Sequence, residues 1–171
     1  MSIIERVAAA LDHAHKLNIV HRDIKPANIM YDVDTDIPKI TDFGIARVTD
    51  SSKTKTGMVL GTPSFMSPEQ LAGRKIDGPS DLFSLGVTLY QLASGGLPFQ
   101  GETMTQLMYK IANEPPIDIL SLNPALPPCL AGIIDRALAK NVEDRFRTGD
   151  EMATAIRACA AQLSPTVDVV L

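Results

Sequence analysis

Tryptophan is absent from this 171-residue chain and aromatic residues make up only 5% of it, so Leu, Ile, Val, Ala and Met have to fill the core. Cysteine is scarce too. Cys129 and Cys159 are the only two, too few for a disulfide framework or a zinc site, and both fall in segments with helical patterning. Reduced core thiols in a cytoplasmic protein are the expectation. A basic excess is also missing: a net charge of −4 and a pI of about 5.3 leave no electrostatic footprint for nucleic acid or for an anionic membrane. Glu5, Arg6 and Asp12 interrupt any apolar run at the start, which argues against a signal peptide. No Gly is followed by Lys, so there is no Walker A loop. What is present, 45% hydrophobic and 21% charged residues, is the composition of one folded domain with a sizeable core.

One stretch invites a different reading. Residues Leu82 to Gly101 carry no charge, a length that could cross a bilayer. Gly95, Gly96 and Pro98 break its last third, and Ser84, Thr88 and Gln91 dilute the rest. The pattern predicts a buried central helix over Leu82–Ala93, capped by Ser80 or Asp81 and ended at Gly95–Gly96, with no membrane segment. Ile4, Val7, Ala8 and Leu11 repeat at the helical period within Ser2–Leu17. Met104, Leu107, Met108 and Ile111 form a second apolar stripe, and Leu130, Ile133, Ile134, Ala137 and Leu138 a third. Thr148 and Glu151 have capping-box spacing for a last helix reaching about Leu163. Residues 164–171 read as a frayed tail. Ile29–Tyr31 and Lys39–Thr41 are short β-prone pieces around an acidic turn, a small hairpin. The whole is about six helices with one hairpin.

Two constellations carry no chemistry. Asp32, Asp34 and Asp36 begin like an EF-hand loop, but its sixth and twelfth positions hold Ile37 and Phe43 instead of Gly and Glu. His13 and His15 are two apart on a helix and point to nearly opposite sides, so they cannot share a metal, and structural or surface roles are expected.

A third set is ordered along the chain. His21-Arg22-Asp23-Ile24-Lys25-Pro26-Ala27-Asn28 comes first, then Asp42-Phe43-Gly44, then Gly61-Thr62-Pro63 and Ser67-Pro68-Glu69. Any one tripeptide is weak, but their order and spacing together resemble the eukaryotic-type protein kinase family, in its bacterial-like serine/threonine branch. The resemblance runs from about Ser2 to Leu163. It implies ATP-dependent phosphoryl transfer to Ser or Thr of a protein substrate, with Mg2+ as cofactor.

The chemistry asks for these residue types. A transferring phosphoryl group spreads negative charge that cations must surround, and the attacking hydroxyl needs a proton acceptor. By resemblance, Asp23 is the catalytic base, Lys25 contacts the moving phosphate, and Thr62 bonds near both. Asn28 and Asp42 are the metal ligands, with the hard oxygen donors that magnesium prefers. Met30 lies beneath the adenine. His21 and Phe43 belong to a stack that couples two lobes, Asp81 anchors the catalytic loop, and Glu69 with Arg145 forms a buried ion pair. Thr54 and Thr56 are phosphate acceptors in the loop Asp42–Glu69, and Arg22 receives such a phosphate.

The family's Gly-rich loop, strand lysine, helix glutamate and hinge have no counterpart here; no Gly-x-Gly-x-x-Gly occurs. The resemblance therefore implies a fold that is mostly α, a kinase C-lobe over residues 1–163 with a two-stranded β-hairpin and the N-lobe absent. Such a chain is expected to be inactive alone, with an exposed apolar surface around His21, Met30 and Phe43 where the N-lobe would sit. The alternative is a non-catalytic kinase-like binding module.

Overall fold

The computed structural model describes residues 2–43 and 63–163. The described residues are mostly helical with a single two-stranded antiparallel sheet. Helix α1 spans Ser2–Lys16 and buries the predicted face, Ile4, Val7, Ala8 and Leu11. Strands β1 (Ile29–Asp32) and β2 (Ile37–Ile40) form the hairpin, in register Ile29 with Ile40 and Met30 with Lys39. Its acidic turn is an Asx turn, in which Asp32 Oδ1 accepts from the backbone N–H of Asp34 and Thr35 at 3.1 and 3.2 Å.

The short helix α2 (Pro68–Leu71) leads to the long helix α3 (Gly78–Ser94), followed by α4 (Met104–Asn113), α5 (Ile119–Leu122), α6 (Pro128–Ala137) and α7 (Gly149–Leu163). The uncharged run becomes the core of α3. Every residue from Ser80 to Tyr90 is buried, as expected for a helix that is apolar all round. Its buried hydroxyls are satisfied locally: Ser84 Oγ donates to Phe65 O at 2.6 Å, and Thr88 Oγ1 to Ser84 O at 3.0 Å. Gly86 lets α6 approach closely, because a Cβ there would lie 2.6 Å from the Ala137 Cβ. Gly95 ends the helix at φ 74°, its N–H donating to Gln91 O at 2.8 Å. No helix among the described residues is long and apolar enough to cross a membrane.

Four expectations change. Helix α3 starts a turn earlier than predicted, at Gly78 with Asp77 as N-cap, because Pro79 is well suited to the first turn. Ser80 and Asp81 are therefore free of capping duty and turn to other partners. The described residues hold seven α-helical segments, two of them a single turn long. On α4, only Ile111 of the expected stripe is buried, while Met104 is 48% exposed. Helical period marks a face but does not say how much of it a neighbour covers. Last, Cys129 and Cys159 are not free thiols but a disulfide, their Cα atoms 5.6 Å apart. Packing of α7 against α6 brings together residues 30 apart in sequence, which no spacing rule could anticipate.

Candidate active site

The catalytic-loop residues fall between α1 and β1. Asp23 lies at the centre. Its Oδ2 accepts from Lys25 Nζ at 2.9 Å and from Asn28 Nδ2 at 3.1 Å, and its backbone carbonyl accepts from Asn28 Nδ2 at 2.7 Å. Asn28 ends a 3-10 turn, Pro26–Asn28, and is buried there. Its amide nitrogen is committed to Asp23, which leaves its side-chain oxygen as the donor atom available to a cation. Asp42 is exposed and shares no hydrogen bond with Asp23, but the backbone ties it to Asn28. Thr41 N donates to Asn28 O at 2.9 Å, and Thr41 O faces His21 Nε2 at 2.8 Å. An amide oxygen and a carboxylate are both hard donors of the kind magnesium prefers.

His21 is fully buried, which corrects the expectation that it would be exposed. Both ring nitrogens are used. Nε2 must donate to the Thr41 carbonyl, and Nδ1 accepts from Asp23 N–H at 3.2 Å. The Phe43 ring leans on His21 with centroids 4.8 Å apart. Met30, at 59%, is exposed as expected and Phe43 is half-buried, and the exposed apolar surface extends along the hairpin to Val33 at 79%.

Asp81 holds the loop from below. Its carboxylate, 1% exposed, accepts from the backbone N–H of His21 at 2.8 Å and of Arg22 at 2.7 Å. Arg22 and Asp42 both have positive φ, 69° and 54°, a conformation costly for residues with a Cβ and common at functional sites. The Arg22 Nε is buried and has no hydrogen-bond partner among the described residues.

Glu69 and Arg145 form a bidentate pair at 2.8 and 2.9 Å, and Ser80 Oγ donates to Glu69 at 2.6 Å. Arg145 also donates to the carbonyls of Ala139 and Lys140 and stacks on Phe83. Burial pushes the Glu69 carboxyl up, but the Arg145 and Ser80 hydrogen bonds outweigh it and hold the group below its ordinary range.

Two residues without a site role in the sequence reading belong to this network. His15 Nε2 lies 2.8 Å from Asp81 Oδ2. Gln70 donates to the Arg22 carbonyl at 2.8 Å while completing a capping box with Ser67. The Ser67-x-x-Gln70 spacing was a readable signal for that cap. For His15 the sequence offered only that it and His13 point to nearly opposite sides of α1, with no sign of which side meets Asp81. A cleft of about 640 Å³ lies elsewhere, lined by Glu69, Arg74, Lys75, Lys140 and Glu143 among others, and none of Asp23, Asn28 or Asp42 borders it. Gly44, Thr54, Thr56, Thr62 and the tail 164–171 lie outside the described residues.

The fold thus pairs a helical body and a buried loop-anchoring aspartate with an Asp–Lys–Asn cluster at the start of a hairpin. The protein kinase domain family matches residues 1–156. Serine/threonine-protein kinase PksC of Streptomyces coelicolor is 43% identical over 155 residues, 89% of this chain and 28% of its own length. The DNA damage-responsive serine/threonine-protein kinase RqkA of Deinococcus radiodurans is 40% identical over 146 residues, 84% of this chain and 22% of its length. Among solved structures, the Mycobacterium tuberculosis PknI kinase domain aligns with a TM-score of 0.68 at 31% identity, over 92% of this chain and 53% of that one. Rad53 in complex with AMP-PNP aligns with a TM-score of 0.73 at 26% identity, over 90% of this chain and 38% of that one. The chain belongs to the protein kinase family, on its bacterial serine/threonine side, and spans about a quarter of the length of the curated relatives named here.

Proposed function

We propose that the protein transfers the terminal phosphoryl group of ATP to a Ser or Thr hydroxyl of a protein substrate, and that residues 1–163 supply the helical lobe of that enzyme. The carrying observation is the Asp23 carboxylate, held between the Lys25 ammonium and the Asn28 amide. Asp23 keeps a second oxygen for the substrate hydroxyl and takes its proton. Lys25 lies where it can pass from Asp23 to the oxygens of the moving group, balancing charge that develops there. Asn28 and Asp42 would hold magnesium, which when bound neutralises charge on the phosphate oxygens. Asp81 keeps the loop backbone in place, and Arg22, whose Nε has no hydrogen-bond partner among the described residues, would receive a phosphate on Thr54 or Thr56. Met30 would lie under the adenine, and Thr62 would bond near Asp23. The same reading sets the protein in the cytoplasm, with the ATP-covering lobe supplied outside these residues.

A non-catalytic binding module is the competing reading. It has no use for an intact Asp23–Lys25–Asn28 cluster, which favours catalysis. The test is transfer of radiolabel from ATP to a generic basic protein by the full-length natural protein and its Asp23→Asn variant. Loss of the base should slow transfer by about 10²–10⁴-fold. An equal rate in the variant would remove Asp23 from the reaction.

A further inference from the structure

The Cys129–Cys159 bridge takes no part in the site above. Cys129 is the second residue of α6, and Cys159 lies in the last third of α7. The two sulfurs are not equally accessible. Cys159 is 2% exposed and belongs to the core, whereas Cys129 is half-buried at its edge. A nucleophile opening a disulfide must approach along the S–S axis, behind the sulfur it attacks. Cys159, enclosed in the core, offers an incoming thiolate less room than the half-buried Cys129.

We propose that this bridge is a reversible thiol–disulfide exchange site whose entry atom is Cys129 Sγ and whose reactant class is a small thiol of the glutathione type. In the opening step the thiolate of the small molecule bonds to Cys129 Sγ. The Cys129–Cys159 bond breaks, and its electron pair leaves on Cys159, which takes up a proton. A second equivalent of small thiol attacks the external sulfur of the mixed disulfide. It releases the oxidised small-molecule disulfide and leaves Cys129 reduced. Closure is the reverse, with that disulfide as the oxidant. Cys159, buried among apolar side chains, is the poor nucleophile of the pair.

The structural consequence is confined to one end of α7. Its first half is held independently: Met152, Ala153 and Ile156 are in the core, and Gly149 lies so close to α1 that a Cβ would sit 2.1 Å from Ala8 O. Beyond Ile156 most side chains are exposed, and the Arg157–Glu5 contact at 2.8 Å lies at the surface. Opening the bridge therefore loosens Arg157–Leu163 and leaves the rest of the fold in place.

The experiment uses the full-length natural protein with its disulfide formed. It is exposed to reduced glutathione under native conditions, quenched with acid, and mapped by peptide mass spectrometry, with amide exchange followed in parallel. The expected result is a glutathione adduct on Cys129 at least about tenfold more abundant than on Cys159, following the difference in access. Faster amide exchange should be restricted to the peptide ending at Leu163. Adducts on Cys159 in equal or greater amount would overturn the proposal. So would exchange that accelerates throughout the chain, or alkylation of both cysteines before any reductant is added. No substituted protein is needed, so a variant that fails to fold cannot obscure the answer.

Discussion

His15 and Asp81, 66 residues apart, meet at 2.8 Å, and the same Asp81 carboxylate carries the backbone of His21 and Arg22. Helix α1 is thereby linked through α3 to the loop that holds Asp23. The link has a measurable consequence. His15→Ala removes one of the partners of a buried carboxylate and should cost about 1–3 kcal/mol in urea unfolding. In the full-length enzyme it should lower kcat more than it changes KM, because the loop is held less firmly while no substrate contact is lost. His15→Gln keeps a donor and should recover part of both. A His15→Ala protein with unchanged stability and kcat would show that Asp81 needs no third partner.

Glu69 and Arg145 stand in a different relation, since here the charges themselves are buried. Removing one partner strands the other, so Glu69→Ala should cost about 3–5 kcal/mol. Arg145→Ala should cost at least as much, because Ala139 and Lys140 also lose their donor. The double variant should lose less than the sum of the two. Acid should act on the same pair. With the Glu69 carboxyl held below its ordinary 4.5, the unfolded chain binds the proton first, and the stabilisation disappears as pH falls through the folded value. Urea titrations of the three variants at neutral and acid pH provide the check, and additive losses would contradict the pairing.

The parts of this protein that could be read from sequence are those in which one short segment carries its own signal. The uncharged Leu82–Ala93 run announced a buried helix, and Gly95 its end. The β-prone pieces around Asp32–Asp36 announced the hairpin, whose strands extend to Asp32 and Ile37. Asp23, Lys25 and Asn28 sit within one loop, so their adjacency followed from the motif. Relations between distant segments were another matter. That Glu69 faces Arg145, 76 residues later, was accessible only through family resemblance. His15 and the Cys129–Cys159 bridge were missed, because burial and helix docking select partners that the residue types alone do not specify. The α4 stripe correctly marked a helix, but its depth was not legible: Ile111 is buried, Leu107 packs on the edge of the core, and Met104 stays 48% exposed.

Lys140 supplies a test in alkaline solution. Its ammonium is tucked against the carbonyls of Ile111 and Lys110, at 2.7 and 3.4 Å, and over the Phe99 ring. Burial, with help from the nearby Arg145 charge and against a smaller pull from Glu114, pushes its pKa down from 10.5 to about 8. Between those values the unfolded chain keeps a proton that the folded chain has released. Stability should therefore rise with pH across that window on account of this group. Lys140→Met should lack the rise, and the difference between the two proteins, measured by urea unfolding from pH 7 to 10.5, cancels the other titrating groups. A parallel pH dependence in both proteins would mean that Lys140 titrates as if it were in water.

The last prediction concerns the 171-residue polypeptide on its own. It carries Asp23, Lys25, Asn28 and Asp42, yet it has no Gly-x-Gly-x-x-Gly to cover phosphates. In protein kinases a lysine–glutamate pair and the metal-binding aspartate must both be in place, and catalysis is mostly positioning. On the proposed reading, in which the ATP-covering lobe lies outside these residues, the chain alone should position the nucleotide poorly. The nucleotide would meet one exposed face bearing Met30, not an enclosure, and enclosure supplies much of small-molecule affinity. The isolated polypeptide is therefore expected to leave a generic basic substrate unlabelled by radioactive ATP and to give no micromolar ATP heat in titration calorimetry. The Asp23→Asn form serves as the control for contaminating kinases. If the polypeptide labels substrate and its Asp23→Asn form does not, the helical lobe alone suffices for transfer. The requirement for a covering lobe would then have to be abandoned, while the assignment of Asp23 as the base would stand.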